Sequence, residues 1–172
     1  MDITLDTNKR YTYADYLTWI DNQTRELLDG FIRLMSPAPT LTQAKISRKL
    51  LLFLGNYIEK NNGKCQVFTA PFDVRLPQKP DEVADDKIYT VVQPDLCIVC
   101  DESKLDERGC LGAPDMVVEI LSLSSQKYDL NEKCFIEIKF ASIVNLHFYN
   151  SRNSLSGYSP ASIRAWILST TF

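Results

Sequence analysis

Between Gln93 and Lys133 the chain has two short apolar stretches, DLCIV after Pro94 and MVVEI after Asp115. Each carries a carboxylate that a buried strand does not ordinarily hold. Read with the two-residue period of a strand, Asp95, Cys97, Val99 and Asp101 share one face, and Asp115, Val117, Glu119 and Leu121 share another. The connector DESKLDERGCLGA is charged and contains two glycines, which suits an antiparallel return longer than a tight hairpin. A return centred near Arg108 places Asp95 opposite Leu121 and Cys97 opposite Glu119. Asp95 and Glu119 are then diagonal neighbours, roughly 6 to 8 Å apart. At about 6 Å and an effective dielectric of about 20, two carboxylates repel by roughly 3 kcal/mol, so either one takes a proton or a cation sits between them. With no histidine or thiolate set at this place to favour zinc, the cation that fits is a hard one, Mg²⁺ or Mn²⁺. The competing reading makes Asp95 the first residue of a strand after Pro94 and Glu119 a satisfied or edge acid.

The order Pro94-Asp95, then Glu119 in an apolar strand, then a lysine resembles the PD-(D/E)xK superfamily of restriction-endonuclease-like proteins. More closely, residues 92–95, 101–104, 112–122 and Asp129 with Lys133 resemble the Uma-type endonucleases, a large bacterial family. Residues 26–30, 35–37 and 70–76 add to the likeness, which covers about residues 11–140. The resemblance implies an α/β (α+β) fold with a mixed central sheet flanked by helices, and Mg²⁺- or Mn²⁺-dependent hydrolysis of DNA phosphodiester bonds. It implies Asp95 and Glu119 as catalytic acids and metal ligands, Lys133 as the catalytic lysine and Glu26 as a third acid. In the superfamily the lysine commonly lies two residues after the second acid, where Leu121 stands here, so Lys133 takes that role with Lys127 as fallback. Relatives often have a histidine near the start of the helix where Thr42 and Gln43 stand. The partner implied is DNA, with a homodimer admitted and no membrane. The alternative is a catalytically inactive module that keeps the nuclease fold and binds nucleic acid or protein.

A chain of 172 residues that is 45% hydrophobic and 24% charged fits a single domain, residues 1–172, with a sizeable core. Its net charge of −3 weighs against a protein that coats nucleic acid indiscriminately, but not against a nuclease whose metal-site acids enter that sum. No run approaches a membrane span and the first ten residues are too polar for a signal peptide, so a cytoplasmic location is expected. Five cysteines in such a chain suggest reduced thiols rather than a disulfide framework. Cys97 and Cys100 form a C-x-x-C, but on a strand they face opposite ways. A serine or cysteine hydrolase has little support, for there is no G-x-S-x-G and one histidine, His147.

The elements that must position these residues follow from patterning. Residues 11–21 suit a packing helix behind Thr12, with Tyr13, Tyr16, Leu17 and Ile20 at helical spacing. Asp29-Gly30 between apolar alternations is a strong hairpin signal, with Glu26 on its polar side either as the third acid or as an exposed hairpin residue. Residues 41–60 form the clearest amphipathic helix, with Ile46, Leu50, Phe53, Leu54, Tyr57 and Ile58 inward and Lys45, Arg48 and Lys49 largely outward. Strands are expected on either side of Pro71, and a surface loop over 77–90. Asp129 is a good N-cap for a helix that carries Lys133 about one turn in. From about residue 141 the likeness fades, and a divergent, poorly ordered tail is expected. Val144–Tyr149 retains strand character there, and a frame disruption in the gene is one explanation.

Overall fold

The computed structural model describes residues 5–21, 23–35, 38–120 and, for the backbone alone, 142–146. In chain order the elements are α1 (Tyr13–Tyr16), β1 (Arg25–Leu28), β2 (Phe31–Leu34), α2 (Leu41–Lys60), β3 (Gln66–Thr69) and β4 (Val74–Arg75). They continue with β5 (Val91–Val92), β6 (Leu96–Val99), β7 (Leu105–Asp106), β8 (Gly109–Leu111), β9 (Met116–Ile120) and β10 (Ser142–Leu146).

The anticipated apolar stripe on α2 packs, together with Leu51, on one face of a four-stranded mixed sheet of order β10-β9-β6-β3. That face consists of the even-numbered residues Leu96, Ile98, Met116, Val118 and Ile120. Lys45, Arg48 and Lys49 are exposed, as the pattern requires. The odd-numbered residues Cys97, Val99 and Val117 point the other way, into a second core shared with Leu28, Val74, Val92 and Cys110. These come from a six-stranded sheet of order β2-β1-β5-β4-β8-β7, whose outer face is covered by Tyr11 and Tyr13 of the N-terminal segment against Leu27, Ile32, Ile88 and Val91. Strands β6 and β9 are therefore buried on both faces, which explains why they read as continuous apolar runs.

Several sequence expectations need correction. The helix over 11–21 shrinks to α1: Thr12 and Asp15 form a capping box, but the chain leaves the helix at Leu17. Ile20 is 88% exposed, and Asp21 turns to pair with Arg25 at 2.6 Å, while Trp19 packs against Tyr11 and Tyr16. Aromatic packing and an ion pair outweigh the helical period. The loop over 77–90 is not wholly superficial, because Ile88 and Thr90 are buried. The five thiols are not all reduced. The β3–β6 register, Gln66↔Val99, continues to set Cys65 opposite Cys100, and the two form a disulfide with Cα atoms 3.8 Å apart. Thirty-five residues separate them in sequence, so no local spacing announced the pair. Cys97 and Cys110 stay free in the shared core, where burial pushes their thiols up to about 12 and about 11 respectively.

The Asp29-Gly30 hairpin is present, with φ of 51° and 85°, the paired positive values a type I′ turn requires. The return near Arg108 is more elaborate than expected, since β7 and β8 pair within it (Asp106↔Gly109) and join the six-stranded sheet. Strand β10 runs parallel to β9, and the rest of the expected strand 144–149 lies outside the described residues. So do Lys127, Asp129, Lys133, His147 and the serine-rich stretch over 151–162. Among the described residues no helix is long and apolar enough to cross a membrane.

Gly109 holds the six-stranded sheet together at one tight point. Its φ is +122°, and an added Cβ would lie 2.2 Å from the Asp73 carbonyl oxygen. Gly55 in α2 has nothing within 4 Å of such a Cβ. Gly109→Ala should therefore lower unfolding free energy by about 2 to 4 kcal/mol. Gly55→Ala should leave stability unchanged or raise it by up to about 1 kcal/mol. Urea unfolding of the two variants measures both.

Candidate active site

Strands β6 and β9 pair antiparallel with Leu96↔Val118, Cys97↔Val117 and Ile98↔Met116. One step further, this register sets Asp95 opposite Glu119. The sequence reading put Cys97 opposite Glu119, a displacement of two residues. Because side chains alternate with a period of two, that displacement keeps both acids on the predicted face and changes only their relation. They are a direct cross-strand pair rather than a diagonal one, with Cβ atoms about 4.5 to 5.5 Å apart. The alternation aims them to the side of Cys97 and Val117, toward the six-stranded sheet. Glu119 is 9% exposed and Asp95 half-buried. Asp95 Oδ2 accepts the Ile120 N–H at 2.6 Å, so its carboxylate is fastened to the peptide that follows Glu119. At about 5 Å and an effective dielectric of about 20, two ionised carboxylates repel by about 3 kcal/mol.

The corner leading into Asp95 is held by a polar network. Glu26, in β1, lies on the face of Leu28 and is buried at 5% exposure, which corrects the exposed-hairpin reading. Its Oε1 accepts the Gln93 N–H at 2.9 Å. Gln93 donates through Nε2 to Asp73 Oδ1 at 2.7 Å, and the Tyr13 hydroxyl donates to Asp73 Oδ2 at 3.0 Å. Tyr16 donates to the Arg25 carbonyl at 3.2 Å. Burial, reinforced by the Asp73 charge, pushes the Tyr13 phenol far above its ordinary range and that of Tyr16 up to about 12. Both phenols remain hydrogen-bond donors at neutral pH. Pro94, fully buried, follows Gln93 and leads to Asp95. Glu26 thus acts on the backbone two residues before Asp95.

Gln43, which the sequence marks only as standing near the place of a histidine in relatives, reaches the same place. It caps α2 with Thr40, and its Nε2 donates to the Ile120 carbonyl at 3.1 Å. The T-x-x-Q pattern at the helix start was the available signal for the cap; nothing local signalled a partner 77 positions away.

Among the described residues no group of three or more His, Cys, Asp or Glu side chains gathers as a metal cage. Two opposed carboxylates nevertheless suit Mg²⁺, which keeps several waters and is commonly held by one or two carboxylates together with substrate phosphates. Asp95 and Glu119 would be its protein ligands.

The model of the family Uma2, "Putative restriction endonuclease", matches residues 13–136, a span that includes Glu26, Gln43, Asp95, Glu119 and Lys133. The chain belongs to the Uma2 family. This Uma2 protein also shares its fold with the crystal structure of "a putative nuclease belonging to DUF820" from Anabaena variabilis. The TM-score is 0.57 at 16% identity, over 78% of this chain and 74% of that one. No curated protein matches the sequence.

If Glu26 serves the corner through its hydrogen bond, Glu26→Gln should unfold close to the wild type, because an amide oxygen also accepts the Gln93 N–H. Glu26→Ala removes that acceptor and should cost about 1 to 3 kcal/mol. Thermal denaturation of the pair distinguishes a hydrogen-bonding role from one that needs the charge.

Proposed function

We propose that this Uma2 protein is a Mg²⁺- or Mn²⁺-dependent endonuclease that hydrolyses DNA phosphodiester bonds, with Asp95 and Glu119 as the metal-binding acids and Lys133 as the catalytic lysine. The observation that carries the reading is the direct opposition of Asp95 and Glu119, with the Asp95 carboxylate fastened to the Ile120 N–H. When bound, a divalent ion acidifies a water and offsets the charge of the scissile phosphate.

The chain's own groups divide the remaining work. Asp95 gives one oxygen to the Ile120 N–H, which fixes the rotamer of its carboxylate. Glu119 is set by its place inside β9, between two cores. Glu26, through Gln93, holds the corner from which Asp95 projects. Lys133, given its role by the family resemblance alone, would supply an ammonium to the negative charge that develops on the attacking and phosphate oxygens. Lys45, Arg48 and Lys49, exposed on α2, offer phosphates a local positive surface on a chain of net charge −3.

A second reading, a nuclease-fold module that binds without turnover, is favoured by the acidic balance of the chain, net charge −3, and by the loss of family likeness from about residue 141. Cleavage of plasmid and single-stranded DNA with Mg²⁺, Mn²⁺ or EDTA separates the two readings. Asp95→Asn should abolish both metal binding and cleavage. Lys133→Ala should lower cleavage by roughly a hundredfold while leaving Mn²⁺ affinity, measured by calorimetry, nearly intact. A wild-type protein that binds DNA but cleaves neither substrate with either metal would favour the binding module.

A further inference from the structure

The Glu119–Ile120 segment is gripped from two sides. Asp95 Oδ2 accepts its N–H at Ile120, and Gln43 Nε2 donates to the Ile120 carbonyl. The orientation of the Gln43 amide is set chemically. The Thr40 backbone N–H is a donor only, lies 3.0 Å from Gln43 Oε1 and so requires the oxygen on that side. The nitrogen is left facing the Ile120 carbonyl, which is an acceptor only. One side chain therefore closes the α2 cap and ties that cap to the end of β9.

We propose that Gln43 is a positioning residue: by bonding the Ile120 carbonyl it fixes the rotation of the segment that presents Glu119 beside Asp95. Gln43 acts through Glu119 rather than on the substrate, and its part in the reaction rests on the endonuclease reading above. Its part in holding Ile120 does not.

The two duties of Gln43 can be separated by substitution. Gln43→Glu keeps an acceptor for the Thr40 N–H, since glutamate serves a capping box as well as glutamine does, but it has no donor for the Ile120 carbonyl. Gln43→Met keeps the length and loses both. In the full chain, the Ile120 N–H keeps its Asp95 acceptor but should exchange with solvent about tenfold faster in both variants, because a segment that has lost the Gln43 bond to its carbonyl opens more often. Only Gln43→Met should lose thermal stability through the cap. In cleavage assays both should lower kcat by about ten- to a hundredfold with KM for DNA unchanged, as displacement of a catalytic group does. The neutral methionine variant shows that an added charge is not the cause. Wild-type Ile120 exchange in Gln43→Glu would overturn the proposal and leave Gln43 a helix cap alone. A wild-type protein without nuclease activity would refute the proposed function, yet the exchange experiment would still decide the role of Gln43.

Discussion

The β6–β9 register is the constraint on which the remaining architecture depends. Both strands have apolar residues at odd and even positions, so each face needs a separate partner: α2 covers the even positions and the six-stranded sheet covers the odd ones. A slip of one residue would place Asp95 and Glu119 against Leu54 and its neighbours on α2, where two carboxylates find no compensation. The side chains of Asp95 and Gln43 grip the far end of the ladder, at the peptides on either side of Ile120. Core packing and polar anchoring thus impose the same register from opposite ends.

The corner before β6 solves a different problem. Residues 92–95 must pass from the six-stranded sheet to the four-stranded one through a buried region, where every backbone donor needs an acceptor. Glu26 accepts from Gln93, while Asp73 gathers the Gln93 amide and the Tyr13 hydroxyl. These residues lie far apart in sequence and converge because β1, β4 and β5 are close in one sheet. The geometry of Asp95 is consequently an outcome of the whole six-stranded sheet rather than of the PD dipeptide alone.

What the sequence disclosed and what it withheld divide along physical lines. The period-two and period-3.6 patterns revealed β6, β9 and α2, the faces of Asp95 and Glu119, and the hairpin at Asp29-Gly30. Each of these is a local property of the chain. The register was misjudged by two residues because the connector contains its own hairpin, β7–β8, which moves the effective centre of the return. The burial of Glu26, the Cys65–Cys100 pair and the reach of Gln43 each depend on a partner distant in sequence. α1 was overestimated because helical spacing of Leu17 and Ile20 implied burial that the fold does not provide.

The Cys65–Cys100 bond has a mechanical meaning. It closes a covalent ring that contains Pro71, Asp73, Gln93 and Asp95. Tension applied at the two ends of the chain passes from Cys65 to Cys100 through the sulfurs and does not stretch the backbone between them. Glu26, Gln43 and Glu119 lie outside the ring and can be drawn away from it. Under load Glu119 can therefore be drawn away from Asp95, while the Asp95 corner remains enclosed in its loop.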